Sequence, residues 1–220
     1  MAEIKIGRMV LGSCQTNCYF IYQEEEMPGQ GDAQGHKRAI VVDPADQGGR
    51  IHETLERNGI EVEAILLTHG HFDHIWGTKE LREAAGVKLY ALDAEKALCE
   101  DSHNNVSDMA GRAYTVTPDE YLRDGQELTL AGMRFQVIAT PGHTIGSCCY
   151  YFLEAGFLVS GDTLFAESVG RTDFPTGSMS SIVRSIKEKL YVLPGETKVY
   201  PGHGDSTTIE HEMRYNPFTV

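Results

Sequence analysis

Short apolar runs, cut by glycine, proline and acidic clusters, recur along the chain, and their periods sort them into strands and helices. Residues 3–11, 17–22 and 38–42 read as strands. The acidic, glycine-rich stretch 23–37 between the last two reads as a mobile hairpin tip, whose deletion should leave the core folded. Val42-Asp43-Pro44 ends that sheet segment, because proline stops the ladder. In 50–58, Ile51 and Leu55 share a helical face and Asn58-Gly59 forms a C-cap. The run Ala64-Ile65-Leu66-Leu67 is a buried strand, 75–85 a helix closed by Gly86, 87–92 a strand and 94–98 a short helix.

The second half is richer in strands: 127–130, 134–139, 147–152 and 157–160, then 198–200. Between them, 180–191 carries Ile182, Val183, Ile186 and Leu190 on one helical stripe. Strands inside and helices outside, in two similar halves, predict an α/β fold: a four-layer αββα sandwich. No linker interrupts it, so residues 1–220 read as one domain, a size that supports one substantial core.

Charge and composition narrow the chemistry. Nineteen Lys and Arg against 32 Asp and Glu give a net charge of −13, and no basic run exists to hold phosphates, so nucleic acid is not an expected partner. No stretch reaches the roughly 20 apolar residues of a membrane span, and the first residues lack an export pattern, so a cytoplasmic protein is expected. Five cysteines (Cys14, Cys18, Cys99, Cys148 and Cys149) are an odd, scattered set that reads as reduced thiols. Oligomeric state is not encoded in any of these features.

Directly after the strand 64–67 comes Thr68-His69-Gly70-His71-Phe72-Asp73-His74, four metal-capable side chains in six residues. Three more candidates follow other strands: His143 in Thr140-Pro141-Gly142-His143-Thr144, Asp162 in Ser160-Gly161-Asp162-Thr163, and His203 in Tyr200-Pro201-Gly202-His203-Gly204. Strand ends converge on one edge of a sheet, so these seven residues predict one metal site. His36, His52, His103 and His211 have no such setting and read as ordinary polar residues. Thr68, Asp43 and Thr144 are the oxygens expected to take the free N–H groups of ligand histidines.

The H-x-H-x-D-H run with distant His, Asp and His resembles the metallo-β-lactamase superfamily. With Gly161-Asp162-Thr163-Leu164-Phe165, Gly170-Arg171-Thr172-Asp173-Phe174 and Asn216-Pro217-Phe218, nearly the whole chain resembles its glyoxalase II-like (hydroxyacylglutathione hydrolase-like) single-domain branch. The resemblance implies that His69, His71 and His143 hold one ion and Asp73, His74 and His203 a second, with Asp162 bridging. Two Zn²⁺ are the expected cofactors, and iron or manganese suits the same donors. A metal-bound hydroxide would then attack an acyl carbon, with Asp73 also orienting it. Thioester hydrolysis is implied, of S-lactoylglutathione or a related acyl thioester. The larger glyoxalase II enzymes add a C-terminal helical region with basic residues for glutathione; this sequence stops at Val220, so different thiol recognition is expected.

Arg171 and Lys187 are the cationic candidates for a substrate carboxylate, Arg171 the better placed; its competing reading is an ion pair with Asp173. Residues 102–111, polar and irregular, could form a loop over the site. Two other chemistries remain open on the same fold. The 170–174 stretch also resembles persulfide dioxygenases, which use one iron held here by His69, His143 and Asp162. Lactone or β-lactam hydrolysis is the other, although exported two-zinc lactamases usually carry a cysteine where this chain has Asp162.

Overall fold

Successive side chains of a strand face opposite ways, so a strand that is apolar throughout must be covered on both faces. The computed structural model, which describes residues 3–24 and 37–219, shows two sheets packed face to face with helices outside each. The first sheet begins with β1 (Glu3–Leu11), β2 (Thr16–Glu24) and β3 (Lys37–Val42), paired antiparallel. Helix α1 (Gly48–Arg57) crosses to β4 (Ile60–Leu66), parallel to β3. Helices α2 (Phe72–Ile75) and α3 (Thr78–Ala85) cross to β5 (Lys88–Leu92), and α4 (Lys96–Cys99) precedes β6 (Glu120–Leu122); both strands add in parallel.

The second sheet is a meander of β7 (Glu127–Leu130), β8 (Met133–Ala139), β9 (Cys148–Phe152) and β10 (Phe157–Gly161). A small hairpin, β11 (Leu164–Phe165) and β12 (Ser168–Val169), stands apart from it. Helix α5 (Met179–Ser185) continues into a π-helical turn, Ile186–Leu190, and leads to β13 (Lys198–Pro201), parallel to β10. The edge strand β14 (Thr207–Thr208) and helix α6 (Ile209–Tyr215) follow.

Three apolar layers separate these four. On β3, Ala39 and Val41 face outward to meet Ile51, Leu55 and Leu81 of α1 and α3. Ile40 and Val42 face inward and meet Phe135, Tyr150 and Val159 of the second sheet. Beyond that sheet, Tyr151, Leu158 and Val199 pack on Ile182, Ile186 and Ile209. The αββα sandwich is therefore the observed fold. Cys18, Cys99, Cys148 and Cys149 are buried and free. No helix among the described residues is long and apolar enough to cross a membrane.

Three features depart from the periodicity. The helix expected at 75–85 starts earlier, at Phe72, and is broken at Gly77, whose N–H donates to Pro44 O at 2.9 Å. A Cβ there would press on the backbone of Pro44 and Asp46, so the break lets the chain pass the end of β3. The helix expected at 180–191 widens into the π-helical turn. Strands β6, β11, β12 and β14 are too short to alternate visibly, and α6 buries only Ile209 and Glu212, so neither kind showed a pattern. Of the hairpin tip expected at 23–37, Gln23 and Glu24 belong to β2 and Lys37 to β3, and residues 25–36 lie outside the described ones.

Candidate metal centre

Parallel strands bring their C-terminal ends to one edge, and four of them deliver the chemistry here. Asp43 follows β3, His69 to His74 follow β4, Asp162 follows β10, and His203 follows its parallel neighbour β13. The two sheets are tied together at this edge: Tyr150 Oη donates to Leu67 O at 2.6 Å, and Tyr19 Oη and Asn17 Nδ2 donate to Pro201 O at 2.8 and 2.9 Å. Backbone bonds add to this, with Cys148 N donating to Thr68 O and Asn17 N to Gly202 O. Gly202 must be glycine, because a Cβ would overlap Asp162 Oδ1 and crowd His74.

All seven predicted residues converge. His143 Nε2 lies 2.8 Å from His71 Nδ1 and 3.2 Å from His69 Nε2. His203 Nε2 and His74 Nε2 lie 3.3 and 3.7 Å from Asp73 Oδ2. Asp162 stands between the two groups. Its Oδ1 is 3.3 Å from His74 Nε2, and its Oδ2 is 3.5 Å from both His143 Nε2 and His203 Nε2. The triads His69, His71, His143 and Asp73, His74, His203 each have donor atoms close enough to share one cation.

Outer partners fix which nitrogen of each ring points inward. His74 Nδ1 donates to Asp43 Oδ2 at 2.9 Å, and His143 Nδ1 donates to Arg171 O at 2.7 Å. His203 Nδ1 donates to Cys14 O at 3.1 Å. Thr68 Oγ1 donates to Asp43 Oδ2 at 2.6 Å and so accepts from His69 Nδ1 at 3.1 Å. In His69 and His143 this leaves Nε2 with its lone pair toward the centre; in His74 and His203 Nε2 faces the Asp73 and Asp162 carboxylates, and in His71 it is Nδ1 that faces the other rings.

Electrostatics divides the cluster. Burial and the neighbouring rings hold His69 well below the usual imidazole range and His71 at about 3, and burial also lowers His143. These three rings are therefore held in the neutral form. Burial opposes charge on His74 and His203 as well, but Asp162 and Asp73 outweigh it, holding His74 well above its ordinary value and His203 at about 9. Burial is the largest influence on Asp73 and Asp162 and raises both, but the same pairing, His74 foremost, outweighs it and lowers them.

Buried polar atoms are normally hydrogen-bonded. Here His71 Nε2, His74 Nε2 and Asp162 Oδ1 have no hydrogen-bond partner, and the last two face each other. Facing lone pairs and unpartnered donor atoms of His and Asp suit divalent cations of the zinc, iron and manganese group. The residues present fit such ions.

The cleft above the cluster has a volume of about 450 Å³ and apolar walls of Phe72, Phe165, Val169 and Phe174. Arg171 reaches this cleft, but Nε and Nη2 each donate to Asp173 at 2.8 Å, and the guanidinium lies 3.7 Å over the Phe174 ring. Its carbonyl, not its charge, touches the cluster. Lys187 is exposed on the π-helical turn and does not line the cleft. Residues 102–111 do not line it either; Asn105 O instead accepts the Phe72 N–H from the side.

Asp43 and Thr68 support the histidines as their types suggested. Thr144 does not: its hydroxyl donates to Glu95 Oε2 at 3.0 Å. Glu95 itself was missed, since Asp93-Ala94-Glu95-Lys96 reads as a solvated helix end, yet it is fully buried. Burial pushes its carboxyl up to about 7, against hydrogen bonds from Gly70 and Thr144. Thr16, whose hydroxyl donates to Asp73 Oδ2 at 2.9 Å, was missed too. The Arg171 and Cys14 carbonyls carry no side-chain signal at all.

Comparison with known proteins agrees with this geometry. The sequence profile of the family described as Metallo-beta-lactamase superfamily matches residues 11–203. The chain is 36% identical over 217 residues to the probable metallo-hydrolase YqgX of Bacillus subtilis, across 98% of this chain and 97% of that one. It is 31% identical to the hydroxyacylglutathione hydrolase GloC of Haemophilus influenzae, across 93% and 92%. Among solved structures it resembles the BLEG-1 B3 metallo-beta-lactamase, with a TM-score of 0.88 and 36% identity over 98% and 100% of the two chains. It also resembles TTHA1623 in a di-iron-bound form, with a TM-score of 0.81 and 34% identity over 96% and 99%. The chain belongs to the metallo-β-lactamase superfamily.

Proposed function

We propose that the protein is a cytoplasmic, binuclear zinc-dependent hydrolase that cleaves acyl thioesters, S-lactoylglutathione or a related compound among them. The observation that carries this reading is the pair of donor triads with Asp162 between them. His69, His71 and His143 would hold one ion and Asp73, His74 and His203 the other, with Asp162 standing between the two groups. Divalent ions held there supply Lewis acidity, acidifying water toward neutral pH and stabilising charge on an acyl oxygen.

The chain's own groups do the rest. Asp73, held by Thr16, orients the attacking water. The four apolar walls bind the acyl group and keep bulk water from the reacting carbon. A thiolate, the conjugate base of a thiol with a pKa of about 8.5, leaves without help from a general acid. Likeness to the hydroxyacylglutathione hydrolase GloC supports a thioester substrate. Likeness to a di-iron-bound neighbour keeps iron as the other candidate metal for the same hydrolysis.

The test is elemental analysis of the purified protein beside an assay of S-lactoylglutathione hydrolysis. About two ions per chain and a thioesterase activity lost to chelator and restored by Zn²⁺ are expected. One iron per chain with oxygen uptake on a persulfide would overturn the reading.

Arg171 provides a further check. Its guanidinium is exposed and paired with Asp173, and such pairs contribute about 0–1 kcal/mol. Arg171→Ala, which keeps the backbone carbonyl used by His143, is expected to change kcat/KM by less than about tenfold. A rise in KM of about a hundredfold would show instead that Arg171 leaves Asp173 to bind a substrate carboxylate.

A further inference from the structure

The two halves of the cluster are held in different ways. On one side, Asp73 and Asp162 attract His74 and His203. On the other, His69, His71 and His143 come together ring to ring, His143 Nε2 lying 2.8 Å from His71 Nδ1 and 3.2 Å from His69 Nε2. Their spacing depends on the backbone turns that carry them. Those turns come from opposite sheets: the segment after β4 bears His69 and His71, and the segment after β8 bears His143.

One buried side chain touches both. Glu95 Oε1 accepts the N–H of Gly70, the residue between His69 and His71, at 2.8 Å. Glu95 Oε2 accepts the hydroxyl of Thr144, the residue after His143, at 3.0 Å, and Gly146 packs against this carboxyl. Among the described residues no cation pairs with it, so its bonds to these two turns are what compensate its burial. The packing is equally close. A Cβ at Gly146 would overlap the Glu95 backbone and carboxylate, and a Cβ at Gly70 would press on Leu98 and Cys99 just beyond it.

We propose that Glu95 is a positioning residue for the three-histidine site: its carboxylate clamps the two ligand turns at the spacing a cation needs. It touches no ligand side chain and no part of the cleft. The proposal rests on the reading of these histidines as metal ligands, and the experiment separates the two.

Zn²⁺ affinity is measured by competition with a chromogenic chelator, and the visible spectrum is recorded on the Co²⁺-loaded protein. Wild type, Glu95→Gln and Glu95→Ala are compared, with Glu212→Gln as the control. Glu212 is also a fully buried carboxylate, accepting from Glu167 N, Asn216 Nδ2 and Thr207 Oγ1, but it touches neither ligand turn. Supporting groups of metal ligands typically change affinity by about 10- to 100-fold. Glu95→Gln, which keeps an oxygen for Gly70 but loses one for the Thr144 side, should weaken Zn²⁺ by about tenfold, and Glu95→Ala by about a hundredfold. Both should shift the Co²⁺ bands.

Glu212→Gln should lower the melting temperature while leaving affinity and spectrum unchanged. If Glu95→Ala does not fold, Glu95→Gln alone decides. Wild-type affinity and spectrum in Glu95→Gln, or equal losses in Glu212→Gln, would overturn the clamp. A wild-type protein that binds neither Zn²⁺ nor Co²⁺ would overturn the ligand reading and the clamp together.

Discussion

Asp162→Ala is expected to abolish the activity and to release bound metal, the largest single effect in the molecule. Asp162 stands between the two halves of the cluster, Oδ1 toward His74 and Oδ2 toward His143 and His203. Removing it takes away the shared donor. It also leaves His74, whose charge Asp162 favours against burial, without its strongest counter-charge. Several kcal/mol of transition-state stabilisation depend on ions in place, so kcat/KM should fall by about a thousandfold or more. His71→Ala should fall nearly as far, because that ring has no charged partner and completes the neutral triad. Steady-state kinetics with metal analysis on each variant checks both. Wild-type activity in either variant contradicts the assignment.

Asp43→Ala is expected to be the most damaging change outside the seven residues. Asp43 is buried, and its carboxylate accepts from Thr68 N at 2.8 Å, Thr68 Oγ1 at 2.6 Å and His74 Nδ1 at 2.9 Å. Through Thr68 it also reaches His69, so one side chain sets a ring in each half of the cluster. Losing it leaves buried donors unpaired, at about 1–3 kcal/mol each, and frees two rings to turn, a change that typically costs about 10- to 100-fold in metal affinity. Its backbone adds to this, since φ is 52°, a conformation that Asp and Asn tolerate better than Ala. Asp43→Asn should therefore keep more stability than Asp43→Ala, while still failing to hold the inward-facing form of His74. Thermal unfolding and zinc titration separate the two losses. An unchanged zinc affinity in Asp43→Ala would show that the rings orient without it.

What the sequence made legible follows from what a residue type can signal. The seven candidates were readable because imidazole and carboxylate are distinctive and each follows a strand or a Pro-Gly turn. The layers were readable because segments buried on both faces carry unbroken apolar runs, residues 39–42 in β3 and 64–66 in β4. Arg171 showed its charge and its pairing with Asp173 two residues on, but not the stacking of its guanidinium on Phe174, which only the fold brings about. Thr144 was placed correctly beside His143 but given the wrong partner, because the Glu95 carboxylate that takes its hydroxyl comes from 49 residues away. Backbone acceptors such as Arg171 O and Cys14 O exist at every position and cannot be picked out beforehand.

The central claim is that seven side chains from four strand ends make one centre for two ions. The most direct measurement is a crystal structure of the protein as purified, with anomalous diffraction collected at the zinc and iron edges. Two anomalous peaks about 3.5–4 Å apart are predicted. One should lie within bonding distance of His69, His71 and His143, the other of Asp73, His74 and His203, with Asp162 reaching both. A single fully occupied peak at His69, His143 and Asp162, with Asp73 and His203 turned away, would contradict the account.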